Sequence, residues 1–193
     1  MRTLGARLAP LGTMEKELEY RTEQCNKWSQ AMLESNLTKR DACKAYHNVL
    51  IPKINCTLAI TTMTQMKLKG MQVIVDKVYL PKVGLNRHFP LEILYGTSVY
   101  GGIGHKTLYN QQGIAQLKLH IGSIRNNEDS AKLITTSLEI AQLESGLGTP
   151  IMGKNTTKPF GVWTEPTLNH SIKRFLCRCS AELKYTNLWC PKK

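Results

Sequence analysis

LPKVGLNRHFPLEILYGTSVYGGIGHKTLYNQQG, residues 80–113, is the stretch that decides how this chain is read. Pro81, Gly84, Pro90, Gly96, Gly101, Gly102, Gly104 and Gly113 punctuate it, and amphipathic segments lie on both sides. Proline fixes φ and removes a donor, while glycine tolerates positive φ. The run therefore reads as a built connection between helices, made of tight turns and close backbone approaches. Its remaining residues are largely basic and aromatic: Lys82, Arg87, His88, Phe89, Tyr95, Tyr100, His105, Lys106 and Tyr109. Such a mixture also suits a nucleic-acid backbone with bases stacked beside it. Composition favours packing, with rings in the core, glycines in turns and cations in solvent.

Upstream of this connection the pattern is helical. Residues 1–12 alternate weakly and close on Pro10 and Gly12, which predicts a short strand. Thr13 is a suitable N-cap, with Glu15 and Glu17 in the first turn where the helix dipole favours anions. The helix from Met14 to about Ser35 places Leu18, Arg21, Cys25, Trp28 and Met32 on one face. Thr38 caps a second helix with Asp41 in a capping-box position, and its stripe is Ala42, Ala45, Tyr46, Val49 and Leu50. Pro52 is expected to stop or kink it. Residues 54–62 are rich in β-branched side chains and fit either a strand or a short buried helix. Thr64 caps a third helix through Val83, with Met66, Leu68, Met71, Ile74, Val75, Val78 and Tyr79 as its apolar set.

Downstream, Leu91–Tyr95 reads as one helical turn after Pro90. A helix over about 106–125, interrupted or bent near Gly113, turns Leu108, Ile114, Leu117, Ile121 and Ile124 the same way. The next, over 130–145, carries Leu133, Ile134, Leu138, Ala141 and Gln142 on one side and ends at Gly146 and Gly148. A polar loop with Trp163 follows over 153–166. A last helix over 168–179 turns Ile172, Phe175 and Leu176 inward and Lys173, Arg174 and Arg178 outward, and 181–189 alternates like a strand. The expected fold class is mainly α: a helical bundle with a short N-terminal strand and a Gly/Pro-rich mid-chain connection.

The 193 residues hold 26 Lys and Arg against 14 Asp and Glu, a net charge of +12. That balance points to polyanions, nucleic acid before anionic membrane. Residues 1–80 carry twelve cations and seven anions, 81–128 five and two, and 129–193 nine and five, so the excess looks evenly spread. Six cysteines and four sequons, at Asn36, Asn55, Asn155 and Asn169, suggest secretion. The opening residues lack the apolar core of a signal peptide, so the expectation is an intracellular protein, nuclear or cytoplasmic, with reduced thiols. No apolar run approaches the roughly 20 residues that span a bilayer.

Catalytic patterns are missing. No carboxylate cluster would hold two metal ions, and the five histidines show no metal-ligand spacing. Cys177 and Cys179 are too close in sequence for a zinc half-site. Gly101–Gly104 has no convincing strand before it and no Lys-Ser/Thr after it, so it reads as a packing turn and not a phosphate loop. G-x-S-x-G is absent. We expect no enzyme activity, no cofactor, no metal and no small-molecule substrate.

One resemblance runs through residues 2–180. It is carried in register by Arg2-Thr-Leu-Gly-Ala-Arg-Leu-Ala-Pro10, Lys27-Trp28, Ala45-Tyr46, Ile51-Pro52 and Leu80-Pro81-Lys82. Gly84-Leu-Asn-Arg-His-Phe-Pro90, Tyr100-Gly-Gly-Ile-Gly104, Leu108-Tyr109, Gln112-Gly113, Leu143-Glu-Ser-Gly146 and Ile172-Lys-Arg-Phe-Leu176 continue it. The chain resembles the region just after the palm of reverse transcriptases from non-LTR (LINE-like) retrotransposons. His105 departs from it, standing where an apolar or basic residue is expected. The resemblance implies a thumb-like helical part with a palm-exit strand over 1–83, a helical connector over 84–180 and a truncated tail over 181–193. It also implies a fragment without the catalytic carboxylates, whose missing palm and fingers are potential partners. The implied activity is weak, salt-sensitive binding to the backbone of RNA or an RNA–DNA template–primer duplex, with no membrane partner. The candidate contacts are Lys67, Lys69, Lys77, Lys82, Arg87, His88 and Lys106. The alternative is a helical protein-interaction module or an inert transposon relic.

Overall fold

The computed structural model describes residues 2–3, 6–7, 14–86, 88–126, 129–146, 150–153 and 167–183. The fold is mainly α, and the chain divides into two compact units, Met1–Gln112 and Gly113–Lys193. At the start, β1 (Arg2–Thr3) and β2 (Ala6–Arg7) pair antiparallel with Arg2 opposite Arg7. The rest of the expected strand and the Thr13 cap lie outside the described residues.

In the first unit α1 (Glu15–Glu34) buries Cys25 and Met32 together with Glu17, Arg21 and Ser29. Arg21 is tolerated inside because its Nε donates to Glu17 Oε1 at 2.6 Å and its Nη1 to the Lys53 carbonyl at 3.0 Å. α2 (Lys39–Ala45) begins as its cap predicts: Thr38 Oγ1 accepts from the Asp41 N–H at 3.2 Å and donates to Asp41 Oδ2 at 2.7 Å. The helix then widens into a π turn, Tyr46–Leu50, in which the Ile51 N–H reaches the Tyr46 carbonyl five residues back. It resumes as α3 (Ile51–Leu58). A proline has no N–H for the carbonyl four residues earlier and its ring crowds that carbonyl. The wider turn just before Pro52 relieves both problems, so Pro52 does not stop the helix. Residues 54–58 are thus helical, and Val49, expected in the buried stripe, is exposed.

α4 (Gln65–Val83) starts at Thr64, whose hydroxyl accepts from the Lys67 N–H. It ends at Gly84, where φ is +86° and the Leu85 N–H returns to the Leu80 carbonyl at 2.9 Å. Leu50, Ile54, Leu58, Leu68, Met71 and Val75 form the centre of the core against Tyr46 and Tyr79. Met66, expected among them, is 84% exposed. α5 (Leu91–Tyr95) follows Pro90.

α6 (Leu108–Asn126) begins in the first unit and runs into the second without a break at Gly113. That glycine makes room: a Cβ there would lie 2.3 Å from the Phe175 ring. Beyond the buried Leu108, the inner side of α6 is largely polar, with Gln112, Gln116, His120 and Ser123 inside; of the expected apolar face Leu108 is buried and Leu117 is partly buried, while Ile114 is exposed. In α7 (Asp129–Ser145) Ala131 and Ala141 are buried, while Leu133, expected inside, is exposed. Thr167 caps α8 (Leu168–Arg178). Ile172, Phe175 and Leu176 point inward as predicted, but Lys173 is buried and not outward, because its Nζ donates to the Gly153 carbonyl at 2.7 Å. Met152, Ile172 and Leu176 form this unit's core with Leu117, Leu138, Leu168 and Leu183. Residues 181–183 are not a strand; 184–189, Trp163 and Gly148 lie outside the described residues.

Candidate functional site

The Gly/Pro connection folds back on α5. Ile103, Gly104 and His105 donate their N–H groups to the carbonyls of Ile93, Gly96 and Leu94 at 2.8, 2.8 and 2.9 Å. Two glycines make the crossing possible, since a Cβ at Gly102 would lie 2.2 Å from the Gly96 carbonyl oxygen. Gly101–Gly104 is a packing turn, and its bonds deliver His105 into the first unit's core.

There His105 joins a network drawn from the π turn, α4 and α5. Its ring stacks on Tyr46, Tyr79 and Tyr95, with centroids 4.7, 5.1 and 5.7 Å away. Its Nε2 lies 3.0 Å from Asp76 Oδ1 and 3.2 Å from Gln72 Nε2. The Leu108 N–H donates to Gln72 Oε1 at 3.0 Å, which turns the Gln72 amide nitrogen toward the network. Gln72 Nε2 then donates to Asp76 Oδ1 at 2.8 Å, and the Tyr46 hydroxyl donates to the Lys106 carbonyl at 2.8 Å. A lone pair on His105 Nε2 would face the carboxylate, so this nitrogen carries the proton and donates to Asp76. Burial pushes the hydroxyls of Tyr46 and Tyr79 upward, and burial with the adjacent Asp76 charge takes Tyr95 up to about 12. All three rings remain protonated donors at neutral pH. Burial, then the charges of Lys106 and His105, hold His47 below its ordinary range.

Such a cluster is largely screened from solvent. The side chains of His105 and Asp76 are 1% and 15% exposed. The network ties the 96–107 segment to α4 and fixes where Lys106 leaves the surface. Sequence reasoning missed it. The outlying His105 was its signal, and Asp76 its partner one turn before Tyr79.

The predicted contact residues are placed differently from one another. Lys67, Lys69 and Lys77 of α4, His88, and Lys106 are exposed. At 100° per residue, Lys67 and Lys69 lie about 160° apart around the axis, so they flank the buried face from opposite sides. Lys82 is engaged: its Nζ donates to the carbonyls of Ser35 at 2.6 Å and Leu33 at 3.4 Å. It thus neutralises the C-terminus of α1, which has no basic residue in its own last turn. Arg87 lies outside the described residues. Lys39, which was not predicted, stands beside this joint, with Nζ 2.8 Å from where a Cβ on Gly84 would be.

Helix boundaries also redistribute the charge. α1 carries three cations and five anions, whereas residues 39–112 carry ten cations and three anions. One of those three anions, Asp76, is turned inward to His105, while the half-exposed Asp41 sits beside Thr38 and Lys44. The basic excess of this unit therefore belongs to α2 through the start of α6, and the surface there is cationic with little to offset it.

Among the described residues no group of three or more His, Cys, Asp or Glu side chains is placed to hold a metal ion, and no helix is long and apolar enough to cross a membrane. Cys25, Cys43, Cys56, Cys177 and Cys179 are free thiols. No protein-family model, no curated protein and no solved structure matches this chain.

Proposed function

We propose that the chain is a non-catalytic, nucleic-acid-binding helical module of the kind that follows the palm in non-LTR retrotransposon reverse transcriptases, and that it grips the backbone of RNA or an RNA–DNA duplex. The observation that carries this is the segregation of charge. Ten cations against three anions over residues 39–112, one of those anions, Asp76, turned inward to His105, give one part of the first unit a field suited to phosphates. Lys67, Lys77 and Lys106 would touch the backbone together with Lys39, while Lys69 lies on the other side of α4 from Lys67 and Lys82 acts mainly as a cap. Interactions of this kind position a duplex without reading its sequence.

The test is fluorescence anisotropy on a labelled RNA–DNA hybrid, comparing the wild type with a Lys67→Gln/Lys77→Gln/Lys106→Gln variant and a Lys16→Gln/Lys27→Gln control in α1. The first variant is expected to weaken binding regardless of hybrid sequence and to lower the salt slope by about 1 for each phosphate that is no longer neutralised. Equal effects from both variants, or none from the first, would overturn the proposal.

A further inference from the structure

We propose that the knuckle at residues 97–101 is a stacking site for an unpaired base, with Tyr100 as its platform; this rests on the backbone grip proposed above and adds single-stranded nucleic acid to its ligands. Two tyrosines of the connection have opposite fates. Tyr95 turns inward, half-buried, against His105. Tyr100, five residues on, is 90% exposed and its neighbour Val99 83% exposed.

That exposure is held in place. The Gly104 N–H closes the knuckle on the Gly96 carbonyl at 2.8 Å, and the N–H groups of Tyr100 and Gly102 both bond the Thr97 carbonyl, at 3.1 and 2.9 Å. Gly101 takes φ +79° at the turn, and Gly102 sits too close to the Gly96 backbone for any side chain. With the backbone fixed in this way, only the side-chain rotation of Tyr100 remains to be ordered when a ligand stacks on it. Exposed Ile93 and Ile103, whose backbones are bonded to each other, extend the apolar surface at the base of the knuckle.

The surrounding charge selects the ligand. Residues 77–112 hold four cations and one anion, the exposed Glu92 of α5, and Lys106 follows the knuckle and is exposed. Thr97 and Ser98 add exposed hydroxyls for sugar or phosphate oxygens. An exposed aromatic face on a unit of net positive charge fits an unpaired base with its phosphate.

The experiment uses the full chain with two labelled probes, a blunt RNA–DNA hybrid and the same hybrid with a short single-stranded overhang. Wild type is expected to bind the overhang probe more tightly. Tyr100→Ala should weaken binding to that probe about 5- to 100-fold, with blunt-hybrid binding and circular dichroism unchanged, and Tyr100→Phe should retain the gain. Stacking is overturned if the overhang adds nothing, if Tyr100→Ala weakens both probes equally, or if it weakens neither. It is also overturned if Tyr100→Ala abolishes binding to phosphatidylserine vesicles while overhang affinity stays intact, which would assign the knuckle to a bilayer. In each of these cases salt-dependent blunt-hybrid binding leaves the backbone grip standing. Failure of wild type to bind either probe at low salt removes both.

Discussion

Replacing Asp76 by alanine shows how firmly the connection is held. Asp76 Oδ1 accepts from Gln72 at 2.8 Å and His105 at 3.0 Å, and Oδ2 from Tyr95 at 3.4 Å. A buried donor left without a partner costs about 1–3 kcal/mol, so the two buried donors set a limit of about 2–6 kcal/mol. Two adjustments reduce it. Tyr95 is half-buried and its hydroxyl turns to water. His105 changes tautomer, so that Nε2 accepts from Gln72 Nε2, already 3.2 Å away. About one donor remains unmatched, and Asp76→Ala should destabilise the first unit by about 2 kcal/mol. His105→Ala also removes the stacking on three tyrosine rings and should cost about 3–5 kcal/mol. Because the two residues share one bond, the double variant should fall short of the sum by about 1–2 kcal/mol. Hydrogen exchange at the amides of Ile103, Gly104 and His105 reports this directly, since all three bond back onto α5 or Gly96. Their exchange should accelerate roughly 30-fold in Asp76→Ala. Unchanged exchange, or strictly additive losses, would refute the network as the device that holds the connection.

Other residues make independent predictions. Gly113→Ala and Gly122→Ala are a matched pair within α6: helix propensity favours alanine by about 1 kcal/mol at both. The added Cβ meets the Phe175 ring at 2.3 Å in one and nothing within 4 Å in the other, so Gly113→Ala should lower the melting temperature and Gly122→Ala raise it. Adding Phe175→Leu should rescue the first. Burial, partly opposed by Arg21, pushes the Cys25 thiol up to about 12, so iodoacetamide followed by mass spectrometry should label the exposed Cys56, Cys177 and Cys179 long before Cys25. Burial also holds His120 below its ordinary range. The native state then binds fewer protons than the unfolded chain, and stability falls as pH drops through about 6.5 toward the depressed native value. His120→Gln should flatten part of that slope in urea midpoints measured across this window.

The helices were legible wherever a local signal fixed them. Thr38 and Thr64 bond the amides that a cap should bond, and Gly84 adopts the positive φ of a C-cap. Burial was legible where the partner was generic apolar surface, as at Leu68, Met71 and Val75. It was not legible where polar groups found particular partners. Gln112 lies inside because its Nε2 donates to the Met63 carbonyl, and Gln116 because its Oε1 accepts from Ser171. Nothing in the periodicity of α6 indicates those partners, so Ile114 was assigned to the inner face and the glutamines were not, whereas Leu108 and Leu117 do pack inward. Lys173 misled in the same way. The continuation through Pro52 depends on a π turn, which leaves no composition signal. The charge asymmetry was present in the sequence, but dividing the chain at residue 80 averaged the acidic α1 with the basic segment behind it.

The most direct measurement of the central claim is the salt dependence of affinity for a blunt RNA–DNA hybrid. A cationic surface formed by residues 39–112 predicts that log affinity falls linearly with log salt, with a slope of several units from displaced counterions. Binding with no salt slope, or no binding even at low salt, would contradict it.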